Sequence, residues 1–165
     1  MVTKLNSYIL SDNIIDKMKT KIEETREKKI ELGFGLCRIK HIDTLKIGKE
    51  CTGDLCTLKH ITTCPVGLYI GGYHTHPRGT ARPSITDLKS AYVNDVECIG
   101  SVTENVIRCF IRAGHRNPEN EKKIVAILKE VEEPLPKVVS KEEYEKWQNA
   151  RDETLDKYFK VVEVK

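Results

Sequence analysis

The sequence predicts a mixed α/β chain, of the α/β or α+β class. Three observations predict it. The 165 residues suffice for one core of ordinary size. Strand-like and helix-like segments interleave along the chain. No Gly/Ser/Pro-rich linker divides it, and no repeat or low-complexity stretch is present. Residues 1–133 read as the main domain, and residues 134–165 as a helix and short strand packed upon it.

The elements follow in order. Residues 7–10 read as a short strand, and Ser11 or Asp12 caps the helix that follows. Ile14, Ile15, Met18 and Ile22 recur along it at helical spacing, which reads as core packing rather than a site. Residues 30–40 (IELGFGLCRIK) form a buried strand. Two more strands are expected around residues 55–62 and 66–73. Residues 74–83, rich in Pro, Gly and Thr, read as loop following a strand end. Residues 84–94 form a helix with Ser84 at the N-cap and Asp87 in its first turn. Residues 96–101 and 106–113 make a hairpin. Residues 122–131 read as a strand after a polar turn containing Asn117-Pro118. Residues 133–136 (EPLP) interrupt the chain, Ser140 caps a last helix, and VVEVK ends it as a strand.

Composition excludes several classes. Hydrophobic residues at 39% and charged residues at 32% exclude disorder. A net charge of +3, from 28 basic and 25 acidic groups, makes no electrostatic case for nucleic acid. No apolar run approaches the ~20 residues of a membrane span. The N-terminus, MVTKLNSYILSDN, lacks the apolar core of a signal peptide, so a cytoplasmic protein is expected. Six cysteines in such a chain default to buried thiols. Hyperthermophiles, whose intracellular proteins carry disulfides, are the exception, and the Lys/Glu/Ile-rich texture leans towards one.

The chemistry concentrates in YHTHPRGTARPSITDL, residues 73–88. Side chains at i and i+2 on a strand point to one side, so His74 and His76 can reach one ion. Asp87, on the helix to which the loop returns, can supply a third ligand. Two imidazoles and a carboxylate suit zinc and leave the fourth tetrahedral position for water. A His-x-His pair alone is a weak signal, because most histidines are surface or satisfied core residues. His-x-His-Pro followed at fixed spacing by Ser-x-x-Asp is far more restrictive.

These residues resemble the signature of the JAMM (MPN+) metalloproteases, which include the deubiquitinases of the proteasome lid and signalosome and shorter prokaryotic relatives. That signature is an upstream Glu, then His-x-His, seven residues, Ser, two residues and Asp. Here it reads His74-Thr75-His76, PRGTARP, Ser84-Ile85-Thr86-Asp87, with Thr75 and Pro77 also fitting. A weaker resemblance runs from about residue 8 to about residue 131. It implies an MPN/JAB, cytidine-deaminase-like architecture: a mixed, mainly antiparallel sheet with flanking helices. It implies one zinc ion (Zn2+) per chain on His74, His76 and Asp87, and Ser84 as the holder of the oxyanion. The upstream Glu is assigned to Glu31, directly before LGFGLCRI; Glu27, which reads as helix end, and Glu50, in a polar stretch, are the rivals.

The implied reaction is hydrolysis of an isopeptide or peptide bond after the C-terminal tail of a ubiquitin-like protein, the tail lying beside the groove as an added strand. The span from Glu31 to His74 leaves little room for the insertions of eukaryotic members, so a compact archaeal-type enzyme is the closer match. A small archaeal modifier, a sulfur-carrier protein or a viral protein would be its substrate. Gly71 and Gly72 serve either close backbone approach or plain strand packing. Two alternatives stay open: a metal-containing interaction module with little turnover, and a zinc hydrolase of small amides.

Other signals are weaker. Cys51, Cys56, His60 and Cys64 miss the spacing of a zinc knuckle and read as buried or disulfide-bonded cysteines. Cys98 and Cys109 would face each other if the hairpin loop is 102–105, which leaves a bridge there open without making it the expectation. His41 and His115 read as surface residues. A cytidine deaminase would need His-x-Glu and Pro-Cys-x-x-Cys, and neither is present. In the last helix Tyr144 with Trp147, and Leu155 with Tyr158, are three apart and share faces. Packing on its own domain is the expected use of that helix, with a homodimer interface or the gripping of substrate the alternatives.

Overall fold

The computed structural model describes residues 2–56, 63–132 and 140–164. A two-stranded hairpin comes first, β1 (Thr3–Leu5) against β2 (Tyr8–Leu10). Helix α1 (Asp12–Lys28) follows, its N-cap Ser11 accepting the Ile14 N–H, and left-handed Lys29 ends it. Ile14, Ile15, Met18 and Ile22 are all buried, as their spacing requires. The remaining elements are β3 (Leu32–Arg38), β4 (Lys46–Thr52), β5 (Leu68–His76), α2 (Ile85–Asn94), β6 (Val96–Ser101), β7 (Val106–Arg112), α3 (Pro118–Glu132), α4 (Lys141–Tyr158) and β8 (Phe159–Val164).

Six strands form one sheet in the order β4-β3-β5-β6-β7-β8. Among the described strands only β5 and β6 run parallel; α2 is their crossover. The fold is therefore mixed α/β, with a mainly antiparallel sheet and flanking helices. One face carries α1 over Phe34, Leu36, Tyr73, Cys98 and Ile107. The other gathers Leu88, Tyr92, Ile99, Phe110, Ile124, Leu155 and Phe159 beneath the later helices. Strand β8 pairs with β7, so residues 159–164 complete the sheet. On α4, Leu155 is buried and Tyr144 is exposed, while the side chain of Trp147 lies outside the described part.

Three expectations are corrected. The strand expected over 122–131 is the helix α3. Ile124, Val125, Leu128 and Val131 fall at spacings of three to four, the helical period. Pro118 occupies its first position, where a missing N–H costs nothing, and the Asn117 side chain accepts the Glu119 N–H at 2.9 Å. Of the strand expected around 55–62, residues 55 and 56 belong to the 3-10 turn Gly53–Cys56 and residues 57–62 lie outside the described residues, as do 133–136; β4 is a further strand ahead of that turn. β4 is an edge strand, and its lysines and glutamate blunt that edge while hiding the strand pattern. The histidines are strand rather than loop: β5 runs to His76.

The cysteines also depart from buried thiols. Disulfides join Cys37 to Cys64, Cys51 to Cys56 and Cys98 to Cys109, leaving none free. The last lies across the β6–β7 ladder, where Cys98 is paired with Cys109. With Cys51 and Cys56 joined to each other, no thiolate set remains for a zinc knuckle, and His60 lies outside the described residues. His41 and His115 are exposed.

Gly71 has a packing role. Its φ is +148°, and a Cβ there would lie 1.6 Å from the Val96 carbonyl oxygen. The β5–β6 pairing begins at that residue. Gly71→Ala is expected to cost roughly 1–3 kcal/mol through strain and overpacking. Denaturant unfolding checks this, and an unchanged midpoint would refute it. No helix among the described residues is long and apolar enough to cross a membrane.

Candidate metal centre

Alternation along β5 sends neighbouring side chains to opposite faces. Tyr73 and Thr75 face α1: the Tyr73 hydroxyl donates to the Met18 carbonyl, and the Thr75 hydroxyl lies 2.6 Å from that of Thr25 and accepts the Leu32 N–H. His74 and His76 therefore face α2, at the C-terminal end of the one parallel strand pair. Ligands commonly sit there in open α/β sheets. Asp87 reaches them from the first turn of α2. It closes a capping box with Ser84: its N–H donates to the Ser84 Oγ at 3.1 Å, and its carboxylate accepts the Ser84 N–H at 2.9 Å.

Ligand atoms of His74, His76 and Asp87 all lie within 4.8 Å of one another. The two Nε2 atoms are 3.1 Å apart. Asp87 places one oxygen 3.3 Å from the His74 Nε2 and the other 3.8 Å from the His76 Nε2. Tetrahedral zinc with bonds of about 2.0–2.1 Å needs edges of roughly 3.3 Å, which these distances straddle. The remaining ring nitrogens are committed. His76 Nδ1–H donates to the Thr80 carbonyl at 2.9 Å, and His74 Nδ1–H donates to Glu97 Oε1 at 2.8 Å. Each Nε2 is thereby the nitrogen offered to the centre. His74 and Asp87 are buried, whereas His76 is partly exposed and forms the accessible side. The group fits a divalent metal ion such as zinc.

The loop between His76 and Ser84 is clamped from β6 and its turn. Ser101 donates to the Gly79 carbonyl at 2.7 Å, and Glu104, ion-paired to Arg108, accepts the Ala81 N–H. That clamp holds the Thr80 carbonyl against His76.

Glu31 directly precedes β3. Antiparallel pairing sets Gly33 opposite His74, so by alternation Glu31 falls on the histidines' face of the sheet. Its carbonyl accepts the Gly53 N–H at 2.6 Å, inside the loop closed by Cys51–Cys56. The rivals lie elsewhere. Glu27 is exposed on α1. Glu50 pairs with Phe34, facing the other way, and bonds Lys17 at 2.8 Å and Lys21 at 3.3 Å, which holds its pKa low.

Glu97, a carboxylate in a strand otherwise without charge, is the residue that sequence reasoning missed. The available signal was its charge inside the run VECIGS, every residue of which is buried.

Burial alone would depress the His74 pKa, but the Asp87 and Glu97 carboxylates outweigh it and raise it well above the usual value. Burial, then the neighbouring His74 charge, hold His76 below its usual value. The metal-free protein therefore carries its proton on His74 at neutral pH, and a metal must displace it. Zinc uptake is expected to release about one proton, and affinity is expected to climb as pH rises towards the His74 pKa. Calorimetric titrations in buffers of different ionisation enthalpy would show this; an apparent enthalpy independent of buffer would contradict it.

No protein-family model matches this chain, and a search of curated proteins returns no significant match.

Proposed function

We propose that the protein is a zinc-dependent metallopeptidase of the JAMM (MPN+) kind, which hydrolyses an isopeptide or peptide bond after the tail of a ubiquitin-like protein. One observation carries the reading: the Nε2 atoms of His74 and His76 and the Asp87 carboxylate converge at zinc-like separations while both distal ring nitrogens are committed to acceptors. The spacing of His74, His76, Ser84 and Asp87 supports the family.

Zinc, when bound, lowers the pKa of a coordinated water to about 7 and polarises a carbonyl. Glu31 accepts a proton from the attacking water and passes it to the departing amine. Ser84 donates its hydroxyl to the carbonyl oxygen as negative charge develops there. The helix cap uses the lone pair of that hydroxyl and not its hydrogen, so both tasks are compatible. The proposed setting is the cytoplasm of a host that tolerates intracellular disulfides.

The test uses the whole chain with a ubiquitin-like protein fused at its C-terminal tail to a reporter, beside a small acyl amide. Cleavage after the tail, stopped by a chelator and restored by zinc, is the expected result. Turnover of the amide alone would make the protein a small-amide hydrolase. Zinc uptake with turnover of neither would make it an interaction module.

A further inference from the structure

Glu97 is costly where it stands. A carboxylate in a fully buried strand is retained only when it is paired. Two donors converge on it: His74 Nδ1–H at 2.8 Å on Oε1, and the Ser90 hydroxyl at 3.3 Å on Oε2. Ser90 in turn accepts from Asn94 Nδ2 at 3.4 Å. Ser90 is one helical turn beyond Asp87, on the same side of α2. The Glu97 carboxylate thus ties the strand bearing one candidate ligand to the helix bearing another, from a third element, β6.

We propose that Glu97 is the positioning carboxylate of the metal centre, an inference that rests on the metal reading above. It does two things. With a metal bound it fixes His74 in the tautomer with hydrogen on Nδ1, and it holds the ring so that Nε2 faces the space shared with Asp87 and His76. It also completes the charge balance. Two neutral imidazoles and the single negative charge of Asp87 leave a divalent ion with one uncompensated positive charge in a buried site. The Glu97 charge, one imidazole away, brings the sum to zero. A buried net charge is expensive, so the carboxylate favours the loaded state over the empty one. Ser90 keeps the second oxygen occupied, so the carboxylate does not turn away from His74.

The test is zinc affinity of the full chain, measured by competition with a chromophoric chelator, with nuclear magnetic resonance of the loaded protein. Glu97→Gln keeps the shape and one acceptor but removes the charge, and is expected to weaken zinc 10–100-fold. Ser90→Ala should weaken it by less. The loaded wild type should show a downfield, exchange-protected Nδ1 proton on His74, which moves upfield in Glu97→Gln. A merely structural glutamate would leave zinc affinity unchanged, even though the Nδ1 resonance shifts with any change of its acceptor. If Glu97→Gln fails to fold, the wild-type spectrum decides: absence of that protected proton overturns the inference. Equal zinc affinity in Glu97→Gln overturns it while leaving the metal reading intact. A wild type that binds no zinc overturns both.

Discussion

His74→Ala/His76→Ala is expected to bring zinc from about one ion per chain to background and hydrolysis to the uncatalysed level. The two substitutions remove both nitrogen ligands and leave a lone carboxylate, which holds zinc poorly. Without the ion, water keeps its pKa of about 15.7, and no side chain at this site can replace the hydroxide available near neutrality. The fold should survive. The histidines end β5, and the strand's register with β3 and β6 rests on backbone bonds. Asp87 keeps its own bond to the Ser84 N–H, so α2 remains capped. Metal analysis after desalting, beside a thermal unfolding curve, makes the check. Unchanged zinc in a folded double variant would sink the assignment.

The part of this site that could be read from the sequence is the part that is local. His74, His76, Ser84 and Asp87 lie on one strand end and the helix after it, and two regularities place them: alternation along the strand and the capping box of the helix. Glu97 was not legible because its contact with His74 joins two parallel strands 23 residues apart. Which residues meet across such a pair depends on register, and no local pattern states it. Glu31 and Glu50 show the same limit. Both stand near β-strands, and only the pairing of Phe34 with Glu50 and of Gly33 with His74 separates their faces.

Elements were lost where burial and period disagree. β4 does not show in the sequence because an edge strand presents charges where an interior strand presents an apolar run. In α3 the β-branched Ile124, Val125, Ile127 and Val131 favour a strand by type, while the apolar spacing is helical and prevails. The disulfides depended on pairings that spacing alone leaves open. Cys51 and Cys56 are joined through one turn and Cys98 and Cys109 face across a hairpin, but Cys37 of β3 meets Cys64 in the segment ahead of β5, 27 residues along the chain.

Glu31→Gln should leave zinc in place and lower hydrolysis by ~10²–10⁴-fold, the usual range for a lost general acid–base group. The amide has nearly the shape of the carboxylate but cannot accept the proton. Metal content isolates the chemistry, because Glu31 is not one of the three converging ligands. Its backbone is fixed independently of the side chain, through the Gly53 N–H in the disulfide-closed turn. Gly33 is packed closely between its two neighbouring strands. It is paired with Cys51 on one side and His74 on the other, and a Cβ there would lie 3.0 Å from the Cys51 sulfur and 3.1 Å from the His74 Cα. The nearest clash of such a Cβ would be with the Tyr73 carbonyl oxygen at 2.1 Å, so no side chain fits there and the β3–β5 spacing beside Glu31 is fixed by backbone contact. Glu50→Gln serves as the paired control. That carboxylate is bonded to Lys17 and Lys21 on the α1 side, so its loss should leave turnover within a few-fold of the parent. A fully active Glu31→Gln beside a dead Glu50→Gln would show that the base approaches from β4 and that the face assigned to Glu31 is wrong.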